Sequence, residues 1–347
     1  MAQPVDLVCE GGGVKGIGLA GAYSLLEERG FQAKNVAGTS AGAITAALLA
    51  AGCGADDMRK IVFELDFRQF MDKGWEDRIP LAGYPTSLLK DQGLYEGDVF
   101  LEWIREQLAD RSVKTFADLR TGDDDPRWAY RLQVITSDVT ARRLLVLPRD
   151  AATLGIDPDE LEVALAVRAS MSIPIFFEPL RIVNERENRE HLLVDGALLS
   201  NFPVWLFDCD PGQEPEWPTF GLRLVEAEPT QTTVADRLPA PERAPRGAKG
   251  LFELLTALAF TMMEAHDRYY VEQEHWARTI PIETLGVGVT QFDLSQERKQ
   301  ALYESGRRAA ETFLSTWDFQ AYVSEFRKGR GHSRREAIVA AMQKLEV

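Results

Sequence analysis

This 347-residue chain is short of cysteine, of histidine and of positive charge. Its three cysteines, Cys9, Cys53 and Cys209, stand far apart with no CxxC spacing. That excludes a disulfide scaffold and a thiolate zinc site, and it fits a reducing compartment. Lys and Arg number 39 against 54 Asp and Glu, a formal net charge of -15. So acidic a chain has little attraction for a polyanion, which excludes nucleic acid polymers as general partners. No run approaches the ~18 apolar residues of a membrane span. The first residues, Met1 to Asp6, lack a basic stretch leading into an apolar run, so no secretory signal is read there and a cytoplasmic protein is expected. No internal repeat is found.

What is present is ordinary globular composition, 45% apolar and 27% charged, enough for a sizeable core. The first fifty residues carry the clearest grammar. Val5–Cys9 reads as a buried strand entering Glu10-Gly11-Gly12-Gly13, and a helix follows with Leu19, Tyr23 and Leu26 on one face and Gly30 as its C-cap. Phe31 to Ala37 reads as a second strand, broken at Gly38-Thr39-Ser40-Ala41-Gly42, and a small-residue helix is predicted over Ala43 to Ala51. Strand–turn–helix twice over is the rhythm of a parallel α/β sheet.

Further on, residues 63–95 read as an irregular insertion of the kind that covers active sites. Val99–Leu108 is predicted helical, and Leu132–Thr136 with Leu144–Leu147 is predicted to form a hairpin. Asp157-Pro158-Asp159 is expected to open a helix running to about Ala169, with proline in its first turn and acids at its positive end. His191–Val194 is a short strand delivering Asp195-Gly196-Ala197. Residues 226–249 read as a flexible loop, Leu251–His266 as an apolar helix, Thr279–Ile282 as a strand and Ser295–Trp317 as a helix.

The chemistry gathers at three places. Gly38-Thr39-Ser40-Ala41-Gly42 is a G-x-S-x-G, in which a sharp strand-to-helix turn exposes the serine and the flanking glycines let backbone pass. Ser40 would sit at a helix N-terminus, where the dipole favours developing negative charge. A Gly/Ser turn also caps helices with no chemistry at all, so the pentapeptide does not decide by itself. Upstream, Gly11, Gly12 and Gly13 offer consecutive backbone N–H groups at a helix start, an arrangement able to hold an oxyanion. Lys15 adds positive field or is simply solvated.

Gly11-x-Gly13-x-x-Gly16 also matches the dinucleotide fingerprint. That reading expects an acid at the end of the second strand, where this chain has Gly38-Thr39-Ser40; Glu27 and Glu28 lie in the preceding helix. A phosphate-binding P-loop fails as well, since Lys15-Gly16 is not Lys-Ser/Thr. No nucleotide or other cofactor and no metal is therefore expected.

Ser40 needs a base. The four histidines are His191, His266, His275 and His332. His266 and His275 have the chain order of a conventional triad but fall in or just after an apolar, aromatic-rich stretch, and His191 reads as structural. Asp195 is the better candidate, a carboxylate presented on a turn with Gly196 leaving room for the serine. Desolvation raises its basicity, although an Asp-Gly turn is common by itself.

Taken together, Gly11-Gly12-Gly13-Val14-Lys15-Gly16, Gly38-Thr39-Ser40-Ala41-Gly42 and Asp195-Gly196-Ala197 resemble the patatin-like phospholipases. Arg168-Ala-Ser-Met-Ser-Ile-Pro174 and Asn201-Phe202-Pro203 resemble that family too, in the right order. The likeness covers about residues 5–225, and Ser295–Trp317 resembles the family's closing helix. Its first loop is often arginine-bearing where this chain has Lys15, which preserves the field but not bidentate contacts.

The resemblance implies a three-layer α/β/α fold with a mostly parallel central sheet. It also implies Ser40 as nucleophile, Asp195 as base, an oxyanion hole from Gly11, Gly12 and Gly13, and calcium-independent hydrolysis of fatty acyl esters of phospholipids. The expected partner is then a phospholipid or membrane surface, with an unidentified activator left open. The expected organisation is a hydrolase domain over 1–320 and a charged helical tail over 321–347. Leu251, Leu254, Leu255, Leu258 and Met262 form a stripe read as core rather than interface, and Arg327–Arg335 reads as a solvated basic cluster. Two other classes share this apparatus: a carboxylesterase or thioesterase, and a catalytically silent regulatory protein.

Overall fold

The computed structural model of the chain describes residues 2–70, 93–210, 213–226, 261, 273–289 and 291–327. The elements run β1 (Gln3–Cys9), α1 (Ile17–Glu28), β2 (Phe31–Thr39), α2 (Ala41–Ala50), α3 (Ala55–Glu64), β3 (Gly93–Tyr95), α4 (Asp98–Ala109), β4 (Leu132–Asp138) and β5 (Arg143–Leu147). They continue with α5 (Val163–Ser170), β6 (Ile175–Phe177), β7 (Leu180–Asn184), β8 (Arg189–Asp195), β9 (Thr219–Val225), α6 (Gln273–Ala277), β10 (Thr279–Glu283), α7 (Gln296–Leu314) and α8 (Phe319–Tyr322).

Eight strands form one sheet in the order β10-β9-β1-β2-β4-β8-β7, with β5 also paired to β4. From β10 to β4 the pairings are parallel, while β5 and β8 against β4 and β7 against β8 are antiparallel. The expected mostly parallel sheet is thus a parallel half of five strands with an antiparallel edge. Val5, Leu7 and Cys9 point to one face and Val8 to the other, the alternation of a strand covered on both sides. The first face carries the main core, built with α1, α2, α4 and α5, and α1 packs along α7. On the second face Val8, Ala37, Ile135 and Val146 lie under Phe202, Val204, Leu206 and Phe207, the last three on a 3-10 turn. Among the described residues this turn is the second layer. The predicted helix Leu251–His266, the loop 226–249, most of the insertion 63–95 and most of the tail 321–347 lie outside the described residues.

Strand and helix positions follow the local pattern closely, with α2 beginning at Ala41 rather than Ala43. The helix expected to open at Asp157 begins instead at Val163. Asp157 Oδ1 accepts the Asp159 N–H at 2.9 Å and the Asp157 carbonyl accepts the Leu161 N–H at 3.1 Å, closing a turn. Glu162 then bridges to Thr115 in extended conformation, so a tertiary contact overrides a good local start signal. Strands β6, β7 and β9, three to seven residues long, are not among the predicted elements.

The last described segment is fastened by charge. The Asp208 carboxylate accepts from Arg278 Nη2 at 2.5 Å and Arg327 Nη2 at 2.7 Å, with His275 Nε2 at 3.6 Å. Burial pushes its proton affinity up, but Arg278, His275 and Arg327 hold the carboxyl well below the usual carboxylate range. Residues 319–327 are thereby tied to the turn after Phe207.

Candidate active site

Gly11–Gly13 follow β1, Ser40 follows β2 and Asp195 ends β8. Register explains how the last two meet. Thr39 pairs with Ile135 of β4 and Asp195 pairs with the next residue, Thr136, on the same edge of that strand, the opposite edge being taken by β5. Ser40 and Asp195 therefore come together where the ends of β2 and β8 meet along β4, with no strand between them.

Ser40 is 2% exposed and holds φ 53°, ψ -128° between β2 and α2. A non-glycine residue at positive φ is strained, and surrounding structure must hold it there. The turn is tight: a Cβ placed on Gly42 would lie 2.2 Å from the Cys9 carbonyl oxygen. We expect Gly42→Ala to lower stability by about 3 kcal/mol through overpacking against rigid backbone, read as a fall in the urea midpoint. A midpoint within error of wild type would show that the turn yields.

The Ser40 N–H donates to Ser170 Oγ at 2.8 Å, and Ser170 Oγ in turn donates to the Ile135 carbonyl at 2.6 Å. The Ser40 hydroxyl points to Met171 Sδ at 3.7 Å. Asp195 is fully buried; its Oδ1 accepts the Ala197 N–H at 2.8 Å and its Oδ2 accepts nothing. Burial pushes the Asp195 carboxyl up to about 7, with the Ala197 N–H and the neighbouring Ser40 hydroxyl pulling the other way.

The three glycines differ. The Gly11 N–H donates to the Asn201 carbonyl at 3.3 Å, and Asn201 Nδ2 returns a bond to the Gly11 carbonyl at 3.2 Å. Gly12 and Gly13 donate no backbone hydrogen bond among the described residues, and they open the 3-10 turn Gly13–Gly16 that carries Lys15. Of the predicted oxyanion donors, Gly11 is already engaged, which leaves two.

Neither histidine within the described residues is hydrogen-bonded to Ser40. His191 Nδ1 faces Asp138 Oδ2 at 2.7 Å, four residues before Asp195, and His275 faces Asp208. His266 and His332 lie outside the described residues. Three contributors escaped the sequence reading as chemistry: Ser170, the Ser172 carbonyl, which accepts the Asp195 N–H at 2.8 Å, and Asn201. Their only signal was the pair of stretches Arg168–Pro174 and Asn201–Pro203, to which no role had been attached.

Among the described residues no helix is long and apolar enough to cross a membrane. The family model for patatin-like phospholipase matches residues 7–208, which takes in Gly11–Gly13, Ser40, Ser170, Ser172, Asp195 and Asn201. YqhO of Bacillus subtilis (strain 168) is 38% identical over 316 residues, spanning 91% of this chain and 99% of that protein. The NTE family protein Rv2565 of Mycobacterium tuberculosis is 30% identical over 212 residues, 61% of this chain and 29% of that protein. VipD from Legionella pneumophila superposes with a TM-score of 0.53 at 18% identity, over 91% of this chain and 67% of that one, a likeness of fold.

Proposed function

This chain belongs to the patatin-like phospholipase family, whose members are lipid hydrolases, and on that premise we propose that it cleaves fatty acyl esters of phospholipids through a Ser40–Asp195 dyad. The observation that carries the reading is the pairing of a strained, buried Ser40 with a buried Asp195 whose Oδ2 has no partner. In the reaction the Ser40 hydroxyl turns from Met171 Sδ to the free Oδ2 of Asp195. Asp195 then takes the proton as Oγ bonds to the ester carbonyl carbon. The tetrahedral oxyanion is held by the Gly12 and Gly13 N–H groups, with Gly11 setting the loop against Asn201. Collapse breaks the ester C–O bond, and the departing lysophospholipid alkoxide takes the proton from Asp195. Water, deprotonated by the same carboxylate, cleaves the acyl-enzyme and restores the serine. These steps call on no metal ion or cofactor.

We assign the acyl hydrolase domain to residues 1–320 and the charged tail to 321–347, the first residues of that tail, to Arg327, being fastened to the domain through Asp208. We place the protein in the cytoplasm, meeting its substrate peripherally at a membrane surface, with no nucleic acid as partner. Phosphatidylcholine vesicles incubated with the protein are expected to yield free fatty acid and lysophospholipid by mass spectrometry, and none with Ser40→Ala. Turnover of soluble short-chain esters or thioesters with intact vesicles would refute the phospholipid substrate, and no turnover of any acyl ester would favour the silent regulatory reading.

The base must be ionised to act, and its pKa stands at about 7. We therefore expect kcat/KM to rise with pH through a single acid limb with its midpoint near 7. A midpoint at the ordinary carboxylate position would mean that the working base is not a buried carboxyl.

A further inference from the structure

We infer that Ser170 is a positioning residue of the dyad: its buried hydroxyl pins the Ser40 backbone in the conformation that aims the nucleophile. This rests on Ser40 being the nucleophile, and it goes beyond the dyad to what holds it. The Ser40 N–H, just past the end of β2, lies in the protein interior. There it would be a buried donor without a partner, and Ser170 Oγ is that partner at 2.8 Å. The same hydroxyl hands its proton to the Ile135 carbonyl at 2.6 Å, so the Ser40 backbone is locked through one oxygen to the central strand β4.

The next residues extend the role. Met171 Sδ receives the resting Ser40 hydroxyl, and the Ser172 carbonyl receives the Asp195 N–H at 2.8 Å. Three consecutive residues thus touch both members of the dyad, at the point where β2 and β8 meet along β4. The turn itself is braced by Arg168. Its Nη1 donates to Ser172 Oγ at 2.5 Å and its Nη2 to the carbonyls of Glu96 and Glu178 at 2.5 and 3.0 Å. Ser170 and Ser172 are fully buried and Arg168 nearly so, which leaves no solvent to substitute for these bonds. Ile175, just past the turn, holds φ 79°, a strained value for a β-branched residue and a sign that the segment's path is imposed.

The test uses a fluorophosphonate probe, which phosphonylates an activated serine with loss of fluoride whatever the natural substrate. Wild type should label at Ser40 by intact mass and peptide mapping. Ser170→Ala should bind the probe with unchanged half-saturation but label about 100-fold more slowly, the order of loss from a misplaced reacting group. Its acid limb should stay near pH 7, because the change acts on the serine and not on the Asp195 carboxyl. Ser305→Ala serves as control. That serine is also buried and also donates to a carbonyl, Glu283 at 2.8 Å, but it lies on α7. It should label at the wild-type rate. Should Ser170→Ala fail to fold by circular dichroism, Ser170→Cys fills similar space with a poor hydrogen-bonding group and carries the same expectation. Labelling of a folded Ser170 variant at the wild-type rate, or an equal loss in Ser305→Ala, overturns the positioning role. Absence of label at Ser40 in wild type overturns the nucleophile assignment and the inference with it.

Discussion

Ser40→Ala is expected to lower acyl hydrolysis by 10⁴–10⁶-fold, about what loss of a serine nucleophile removes from a hydrolase that works as a unit. What survives should be the part supplied by binding and by the Gly12 and Gly13 N–H groups, roughly 10³-fold over water. The fold should not change. The Ser40 hydroxyl lies against Met171 Sδ at 3.7 Å, and Asp195 keeps its bond from the Ala197 N–H when that hydroxyl is removed. The backbone bonds of the turn, Ser40 N–H to Ser170 Oγ and Ala43 N–H to the Ser40 carbonyl, are untouched. Ser40→Gly sharpens the point. It should be equally inactive yet more stable by about 1 kcal/mol, because glycine adopts φ 53° without the strain that serine carries. Fatty acid release from vesicles and urea melts of the three proteins would measure both effects. Activity within tenfold of wild type in Ser40→Ala would move the nucleophile elsewhere.

The parts of this site that could be read from sequence are those built from near neighbours. β1–loop–α1 and β2–turn–α2 announce themselves because strand periodicity, glycines and helix periodicity change within a few residues. Asp195 was legible as a carboxylate at the end of a short apolar strand. What was not legible is tertiary. That Ser40 and Asp195 meet beside Ile135 and Thr136 depends on β8 running antiparallel along the same edge of β4 as β2, which no local pattern encodes. Ser170 and Ser172 look like polar residues ending a helix; only the fold turns one hydroxyl onto Ser40 and one carbonyl onto Asp195. The engagement of Gly11 by Asn201, 190 residues away, is of the same kind. The misplaced helix start at Asp157 is the converse, a sound local signal overruled by the bridge from Glu162 to Thr115.

Asp195→Asn should be nearly as inactive as Ser40→Ala, down by about 10⁴-fold, since an amide takes no proton from the serine. It should also be more stable, and only at the pH where the enzyme works. The Asp195 carboxyl is pushed up from 3.8 to about 7 by burial. Between those values the folded protein keeps a proton that the unfolded chain releases. The stability tied to that proton is fully present below 3.8 and is lost as pH rises through about 7, a decline of about 4 kcal/mol. Asparagine has no such titration. It keeps the Ala197 N–H bond on its carbonyl oxygen and places an amide where Oδ2 has no partner. Thermal melts of Asp195→Asn and wild type should therefore coincide near pH 4 and separate progressively to pH 8, the variant melting higher. A constant difference across that range would mean that Asp195 is not buried as a titrating acid. The expected pattern makes the orphan Oδ2 functional: the site holds a destabilising carboxylate because an oxygen with no hydrogen-bond donor on it is the more basic acceptor for the Ser40 proton.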